Sequence, residues 1–290
     1  MLKTAKYVQD RVLAGHLAAI DIDDTLLGPD GKISPENHAA VQRLREAGAH
    51  VAIASGRALV NTLPFYESLG LDGYVISEGG ASATHPITGE TVHRQPIPQR
   101  DAAVLIEDGL ARGLTVLCFG NEAVYAAEED YWTAQYCKDS GTAAIEIADL
   151  SELPEPEPLK VIWAGVPAHL SAIEGEVGQW YLAQLSTVIT HPYLLEFTAA
   201  GVNKSLALAK VASRLRVPAE RVLAFGDGNN DKEMLAWAGY GVAMSHGKPA
   251  AKEAARFVSP AGNPETALAR SIDMLLEGEI GVERQLADCA

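Results

Sequence analysis

Uninterrupted apolar runs recur along the chain, over residues 17–20, 50–54, 74–76, 222–225 and 240–244, and helical patterns stand between them. After residue 31 the trio Ser34-Pro35-Glu36 reads as a helix start, with serine as N-cap, proline at the first helical position and an acid in the first turn. That helix, apolar at Ala40, Val41, Leu44 and Ala47, is predicted to stop at Gly48. A second helix ends near Leu69 with Gly70 behind it, and a further helix is predicted ahead of the first strand. Strands without polar alternation that take turns with helices are the pattern of a parallel sheet covered on both faces.

From about residue 83 the pattern changes. Strands are predicted over 91–95, 114–119, 123–126 and 159–166, with helices over 99–112, 129–138 and 168–184. The short Gly120-Asn121-Glu122 link reads as a hairpin turn, so this sheet is expected to be antiparallel. Residues 152–158, acidic and proline-rich, read as a solvated connector. A strand at 193–197 leads into a long helix, and the first pattern returns. The expected fold is therefore α/β, a discontinuous Rossmann-like parallel-sheet core of residues 1–82 and 191–290 with an α+β domain, residues 83–190, inserted in it.

Composition narrows the function. The chain has 290 residues, 48% of them hydrophobic, enough for a sizeable core. Its formal net charge of −15 argues against a nucleic-acid groove or an anionic membrane surface. No apolar run approaches the roughly 18 residues of a membrane helix, and Lys3, Lys6, Asp10 and Arg11 break up any signal-peptide core. Three cysteines without a CxxC spacing give neither a disulfide framework nor a zinc site, so a cytoplasmic location is expected.

In open α/β sheets ligands sit outside the carboxyl ends of the strands, and the polar groups of this chain gather there. The first strand delivers Asp21, Asp23 and Asp24 within four positions. Such acids repel one another, by roughly 1 kcal/mol per close pair even in water. From this stretch alone a solvated turn and a cation site stay equally open. Other strand ends supply Ser55, Gly56 and Arg57, then Asp227, Asn230 and Asp231, and Lys204 opens a helix. Carboxylates for a metal, a hydroxyl and N–H groups for phosphate oxygens, and a lysine for charge are the parts of a phosphoryl-transfer site. An EF-hand is excluded, because counting from Asp21 puts Leu26 where glycine is needed and Lys32 where glutamate is needed. The eight histidines show no ligand spacing, though His191 and His246 stand near the predicted rim. Arg57 is either a substrate contact or a structural residue, in a salt bridge or in packing at the helix start. Tyr125, Tyr131, Trp132 and Tyr136 read as core of the insert.

Four ordered motifs, DIDDTLL, ASGR, GVNK and GDGNND, resemble those of the haloacid dehalogenase-like phosphatases, of the Cof type with a large cap inserted between the second and third motifs. The resemblance covers nearly the whole chain. It implies that Asp21 is the nucleophile, forming an aspartyl-phosphate, and that Asp23 is the general acid and base. Residues two apart in an extended segment face one side, which would bring the two acids to one substrate. It implies Mg²⁺ on Asp21, Asp23 through its carbonyl, Asp227 and Asp231. Ser55, Gly56, Lys204 and Asn230 would serve the phosphate, with Thr25 bracing the turn. Gly79-Gly80-Ala81 stands where relatives often have Asn-Gly-Ala, Ser55 where Thr is common, and Asp24, read as solvent-facing, where Gly is common.

The activity implied is hydrolysis of a small phosphorylated metabolite, a sugar phosphate first, by a monomer or homodimer that binds neither nucleic acid nor membrane. A phosphomutase using the same intermediate and a non-catalytic sensor of a phosphorylated ligand are the alternatives.

Overall fold

The computed structural model describes residues 12–120, 123–141, 145–153, 157–181 and 184–278. The helix expected at the N-terminus, Asn121 and Glu122 of the hairpin turn, and residues 154–156 of the proline-rich connector lie outside the described residues. In chain order the first elements are β1 (Leu17–Ile20), α1 (Pro35–Glu46), β2 (His50–Ala54), α2 (Leu59–Ser68), β3 (Val75–Ser77), β4 (Ser82–Thr84) and β5 (Thr91–Arg94). There follow α3 (Gln99–Ala111), β6 (Thr115–Phe119), β7 (Val124–Ala126), α4 (Tyr131–Ser140), β8 (Glu146–Ile147), β9 (Lys160–Ala164), α5 (Pro167–Tyr181), β10 (Leu185–His191) and β11 (Leu194–Ala199). The last are α6 (Lys204–Leu215), β12 (Val222–Gly226), α7 (Lys232–Trp237), β13 (Tyr240–Ala243), α8 (Pro249–Ala254), β14 (Phe257–Val258) and α9 (Ala267–Glu277).

Two sheets result. The first has the order β14-β13-β12-β1-β2-β3-β4-β5, parallel from β14 to β3 and antiparallel at β4 and β5. Its inner strands, β13, β12, β1, β2 and β3, are buried on both faces because each face carries helices. Ala18 and Ile20 of β1 pack with Val41 and Leu44 of α1 and Ile272 and Leu275 of α9, while Leu17 and Ala19 pack with Leu208 and Val211 of α6. Helix α1 starts as its sequence requires, the Ser34 hydroxyl accepting from Asn37 N–H at 3.1 Å, and the chain turns away at Gly48 with φ +95°.

The second sheet has the order β10-β11-β9-β6-β7-β8 and is antiparallel except for the pairing of β7 with β8. Its two faces differ. Val161 and Trp163 of β9 and Leu195 and Phe197 of β11 pack under α3 and α5, whereas Ile162 and Ala164 join Tyr136 of α4 on the other face. Sheet membership departs from the expected bounds at both ends of the insert. The strand at Thr91–Arg94 pairs with β4 as the edge of the first sheet, and Leu194–Ala199 pairs with β9 and β10 in the second. The reason is pairing: β4 and β5 form a hairpin that extends an existing sheet edge, and β10 and β11 form another that is joined through His191–Leu194. Strand runs in sequence do not reveal which edge a hairpin extends.

Candidate active site

The carboxyl ends of β1, β2, β3 and β12 open toward the second sheet across a cavity of about 630 Å³. Asp21, Asp23, Asp24, Gly56, Gly79, Asp227 and Asn230 line it from the first sheet. Ser55, Lys204 and Asp231 are buried and stand behind this lining.

Asp21 is the last extended residue of the first strand, its N–H bound to Phe225 O at 3.0 Å. Beyond it residues 22–26 wind into a tight turn in which Asp24 takes a left-handed φ of 54°. The extended spacing expected to align Asp23 with Asp21 therefore ends at Asp21. Asp23 reaches the cavity through the turn, and its carboxylate is exposed. Asp24 is exposed as expected, and its carbonyl accepts from His246 at 2.7 Å. The Thr25 hydroxyl, fully buried, donates to Asp227 Oδ1 at 3.2 Å and so ties the β1 turn to the β12 loop.

Lys204, fully buried at the start of α6, donates to Asp21 Oδ1 at 2.5 Å and Asp231 Oδ1 at 2.6 Å. Two local features place it. Asn203 caps α6 by accepting from Leu206 N–H at 2.9 Å. Gly80, at φ +107°, lets its turn pack on the helix start, where a Cβ would stand 2.2 Å from Asn203 O. Asp231 also accepts from the Asp227 and Gly228 N–H groups, at 3.1 and 2.9 Å. Its carboxylate is thus the brace of the β12 loop as well as a partner of Lys204.

Electrostatics follow from this packing. Burial would lower the Lys204 pKa, but Asp21 and Asp231 overcome it and hold the ammonium above its ordinary value. The Asp21 carboxyl is raised well above the ordinary range by burial and then by repulsion from Asp231, against the pull of Lys204. Asp227 is pushed up to about 6 by burial, then by Asp231 and Asp24. Oxygens of Asp21, Asp227 and Asp231 lie within 4.8 Å of one another. Three buried carboxylates around one ammonium leave negative charge uncompensated, and hard oxygen donors of this kind fit Mg²⁺.

The β2 loop supplies the opposite wall. The Ser55 hydroxyl accepts from Arg57 N–H at 3.1 Å, and the Ser55 carbonyl accepts from Gly79 N–H at 3.0 Å. Asn230 hangs over this loop, its Nδ2 3.9 Å from where a Cβ on Gly56 would stand. Arg57, left open by the sequence between substrate contact and salt bridge, forms the salt bridge: its Nη2 is 2.6 Å from Asp23 Oδ1.

A model of the haloacid dehalogenase-like hydrolase family matches residues 18–272, a span that begins in β1 and ends in α9. The chain belongs to that family. Within it, the second sheet corresponds to the cap of the Cof type, inserted between the second and third motifs. The chain is thus a haloacid dehalogenase-like hydrolase, and the curated relatives it matches are named phosphatases. It is 30% identical over 240 residues to the HMP-PP phosphatase of Serratia proteamaculans, covering 82% of this chain and 86% of that one. It is 29% identical over 264 residues to the 5-amino-6-(5-phospho-D-ribitylamino)uracil phosphatase of Bacillus subtilis, covering 88% and 95%. Among solved structures it resembles a haloacid dehalogenase-like hydrolase from Bacteroides thetaiotaomicron with a TM-score of 0.83 and 26% identity, over 90% of this chain and 99% of that one.

The cap brings residues to the cavity that the motifs do not contain. Lys160 of β9, Glu196 of β11, and Asp139 and Tyr136 of α4 line it. Lys160, 3% exposed, donates to Gly56 O at 3.0 Å and lies 3.2 Å from Glu196 Oε2. Arg57 reaches the other way, donating to Ser140 O at 2.5 Å. His191 and Tyr193 also line the cavity, their rings in edge contact at 4.5 Å. Of the aromatics read as core, Tyr125 is core, Tyr131 is exposed, and Tyr136 is both buried and part of the wall. A charge inside an otherwise apolar strand, Lys160 in KVIWA and Glu196 in LLEFTA, was the signal available in the sequence for these residues.

Proposed function

We propose that this hydrolase is a Mg²⁺-dependent phosphatase that releases phosphate from a small phosphorylated metabolite, a sugar phosphate first, through an aspartyl-phosphate on Asp21. The observation that carries the reading is the Asp21 carboxylate itself. It is 6% exposed yet opens on the cavity, with one oxygen held by Lys204 and with Asp227 and Asp231 as neighbours. Nothing in the packing of a core calls for three acids and a lysine to meet at one rim of a sheet, whereas an anionic nucleophile facing an anionic ester does.

In this reading Asp21 attacks phosphorus, the P–O bond to the leaving group breaks, and Asp23 protonates the departing oxygen. A water then attacks the aspartyl-phosphate, Asp23 takes its proton, and phosphate and the Asp21 carboxylate are regenerated. Lys204 keeps the Asp21 carboxylate in place and balances charge on the transferring group. Ser55, the Gly56 N–H and Asn230 hold phosphate oxygens. Mg²⁺, bound by Asp21, Asp227, the Asp23 carbonyl and Asp231, would shield the repulsion between nucleophile and ester. The cap excludes bulk water and selects the leaving group. A cytoplasmic location agrees with free Cys118 and Cys137.

The test is phosphate release from a generic aryl phosphate and from a panel of phosphorylated sugars, nucleotides and vitamin precursors, with Mg²⁺ and with chelator. Asp21→Asn is expected to lower turnover by about 10⁴-fold or more while the melting transition survives. Undiminished turnover by that variant overturns the mechanism.

A further inference from the structure

The cavity has two ends of different chemistry, and the end away from Asp21 is built by the cap. On β10 the alternate residues Ser186, Val188 and Thr190 face it, and on β11 Glu196 and Thr198 do, with Ser186 opposite Thr198 and Val188 opposite Glu196. The residues between them, Leu195 and Phe197, point into the cap core. One face of a hairpin is thus polar where it meets the site.

We infer that Glu196 and Asp139 make this end a subsite for a neutral or cationic leaving group rich in hydrogen-bond donors, and that they exclude substrates with a second phosphate. The inference rests on the phosphatase reading above and concerns the part of the substrate beyond the phosphate.

Charge carries it first. Two permanent cations line the cavity among the described residues, and neither is available to a second anion. Arg57 is engaged by both oxygens of Asp23 and by Ser140 O. Lys160 is shared among Glu196, Gly56 O and the face of Phe119, whose centroid is 4.5 Å from Nζ. On the same side Asp139 accepts from Tyr193 OH at 2.7 Å and Gln135 Nε2 at 2.9 Å. Those bonds, with Gln135 first, hold the Asp139 carboxyl below its ordinary range, so it stays anionic. A second phosphate would meet these carboxylates with no compensating cation, and repulsion built into a site is a means of discrimination.

Hydrogen-bond capacity carries it second. Glu196 receives the Thr190 hydroxyl on Oε1 at 2.7 Å and Lys160 on Oε2 at 3.2 Å. Each carboxylate oxygen can accept twice, so two acceptor directions remain for hydroxyl or amino donors. Ser186 and Thr198 add hydroxyls that donate or accept. A polyol or an amino-polyol matches this set.

The experiment compares an aryl phosphate, a hexose 6-phosphate and the corresponding hexose 1,6-bisphosphate, each both as substrate and as competitor of aryl phosphate turnover. The unmodified protein is expected to show a KM and an inhibition constant for the bisphosphate at least about tenfold above those for the monophosphate. Glu196→Gln and, separately, Asp139→Asn are expected to narrow that ratio by about threefold to tenfold, through the bisphosphate constants. Asp139 is exposed on α4, so its variant remains informative if Glu196→Gln, which strips Lys160 of its carboxylate, does not fold. A bisphosphate that binds as well as the monophosphate while aryl phosphate is turned over overturns the inference and leaves the phosphatase reading standing. Failure of every substrate, aryl phosphate included, overturns the phosphatase reading instead.

Discussion

Arg57 grips Asp23 with two prongs, Nε 3.0 Å from Oδ2 and Nη2 2.6 Å from Oδ1, while its Nη1 reaches the Ser140 carbonyl at the end of α4. One guanidinium therefore joins the proposed acid and base of the core to the cap. Lys160 makes the return contact, from the cap to Gly56 O. The loop of residues 55–57 is held from both sides, and a movement of the cap away from the core breaks both contacts at once.

This predicts that Arg57 is a positioning residue whose loss acts on turnover more than on affinity for phosphate. For Arg57→Ala we expect kcat to fall about tenfold or more with KM for aryl phosphate changed by less than about threefold. Arg57→Lys keeps the charge but not the fork and is expected to recover only part of the loss. Steady-state kinetics decide it: a pure KM effect would make Arg57 a phosphate ligand instead.

Lys204 lies between Asp21 and Asp231 with no exposure. Removing one partner of a buried ionic set leaves the others uncompensated, which costs about 3–5 kcal/mol. Lys204→Met is thus expected to lower the urea midpoint of unfolding substantially in addition to abolishing turnover. In an Asp21→Asn background the same change should cost less, because one of the two stranded charges is already gone. Equal melting of Lys204→Met and the parent protein would show the cluster to be neutralised in some other way.

How much of this was readable in the chain varies with the range of the interactions involved. The apolar strands and the Ser34 cap are local, and sequence reading placed β1, β2 and α1 closely. The four motifs are local too; the parallel sheet brings three of them to one rim because its strands end on the same side, and the fourth, with Lys204, is placed there by the packing of the start of α6 against Gly80. What was not readable is set by distant pairing. Residues 91–94 and 194–199 changed sheet because the edge that a hairpin joins depends on its partner strands. Asp23 is held by Arg57, 34 residues along the chain, a pairing that local sequence does not show. Lys160 and Glu196 meet only because β9 and β11 are neighbours in the cap.

The acid cluster gives the protein a pH dependence with a definite sign. Asp227 titrates at about 6 in the folded chain, against an ordinary value of 3.8, and Asp21 is raised as well. Between those values the folded chain keeps a proton that the unfolded chain has lost. The Asp227 contribution to metal-free stability should therefore be largest below about pH 4 and be lost as pH rises through about 6, roughly 3 kcal/mol at most, and the raised Asp21 adds a loss of the same sign. A bound divalent cation removes the penalty on the ionised carboxylates. Saturating Mg²⁺ is expected to raise the melting temperature more at about pH 7 than at about pH 4.5, since the proton and the cation compete for the same oxygens. Melting curves at both pH values, with Mg²⁺ and with chelator, test this; a Mg²⁺ effect independent of pH would remove these carboxylates from the metal site.

Two adjacent glycines should respond oppositely to the same added atom. Both have positive φ, +69° at Gly79 and +107° at Gly80, so each substitution carries some backbone cost. Space separates them. A Cβ on Gly79 meets nothing within 4 Å and points to open cavity, whereas one on Gly80 would lie 2.2 Å from Asn203 O and 2.7 Å from Lys204 N. To relieve that contact the start of α6 must move, and Lys204 moves with it. Gly80→Ala is expected to destabilise by about 2–4 kcal/mol. Its kcat should also drop, because Lys204 can no longer reach Asp21 and Asp231 together. Gly79→Asn, with a residue that tolerates the left-handed region, is expected to cost about 1 kcal/mol or less and to change KM for bulky substrates more than for aryl phosphate, since its side chain fills cavity rather than displacing backbone. Chemical denaturation and kinetics of the two variants side by side check both halves; a Gly79→Asn variant as unstable as Gly80→Ala would mean that backbone strain, rather than the approach of α6, dictates glycine at this turn.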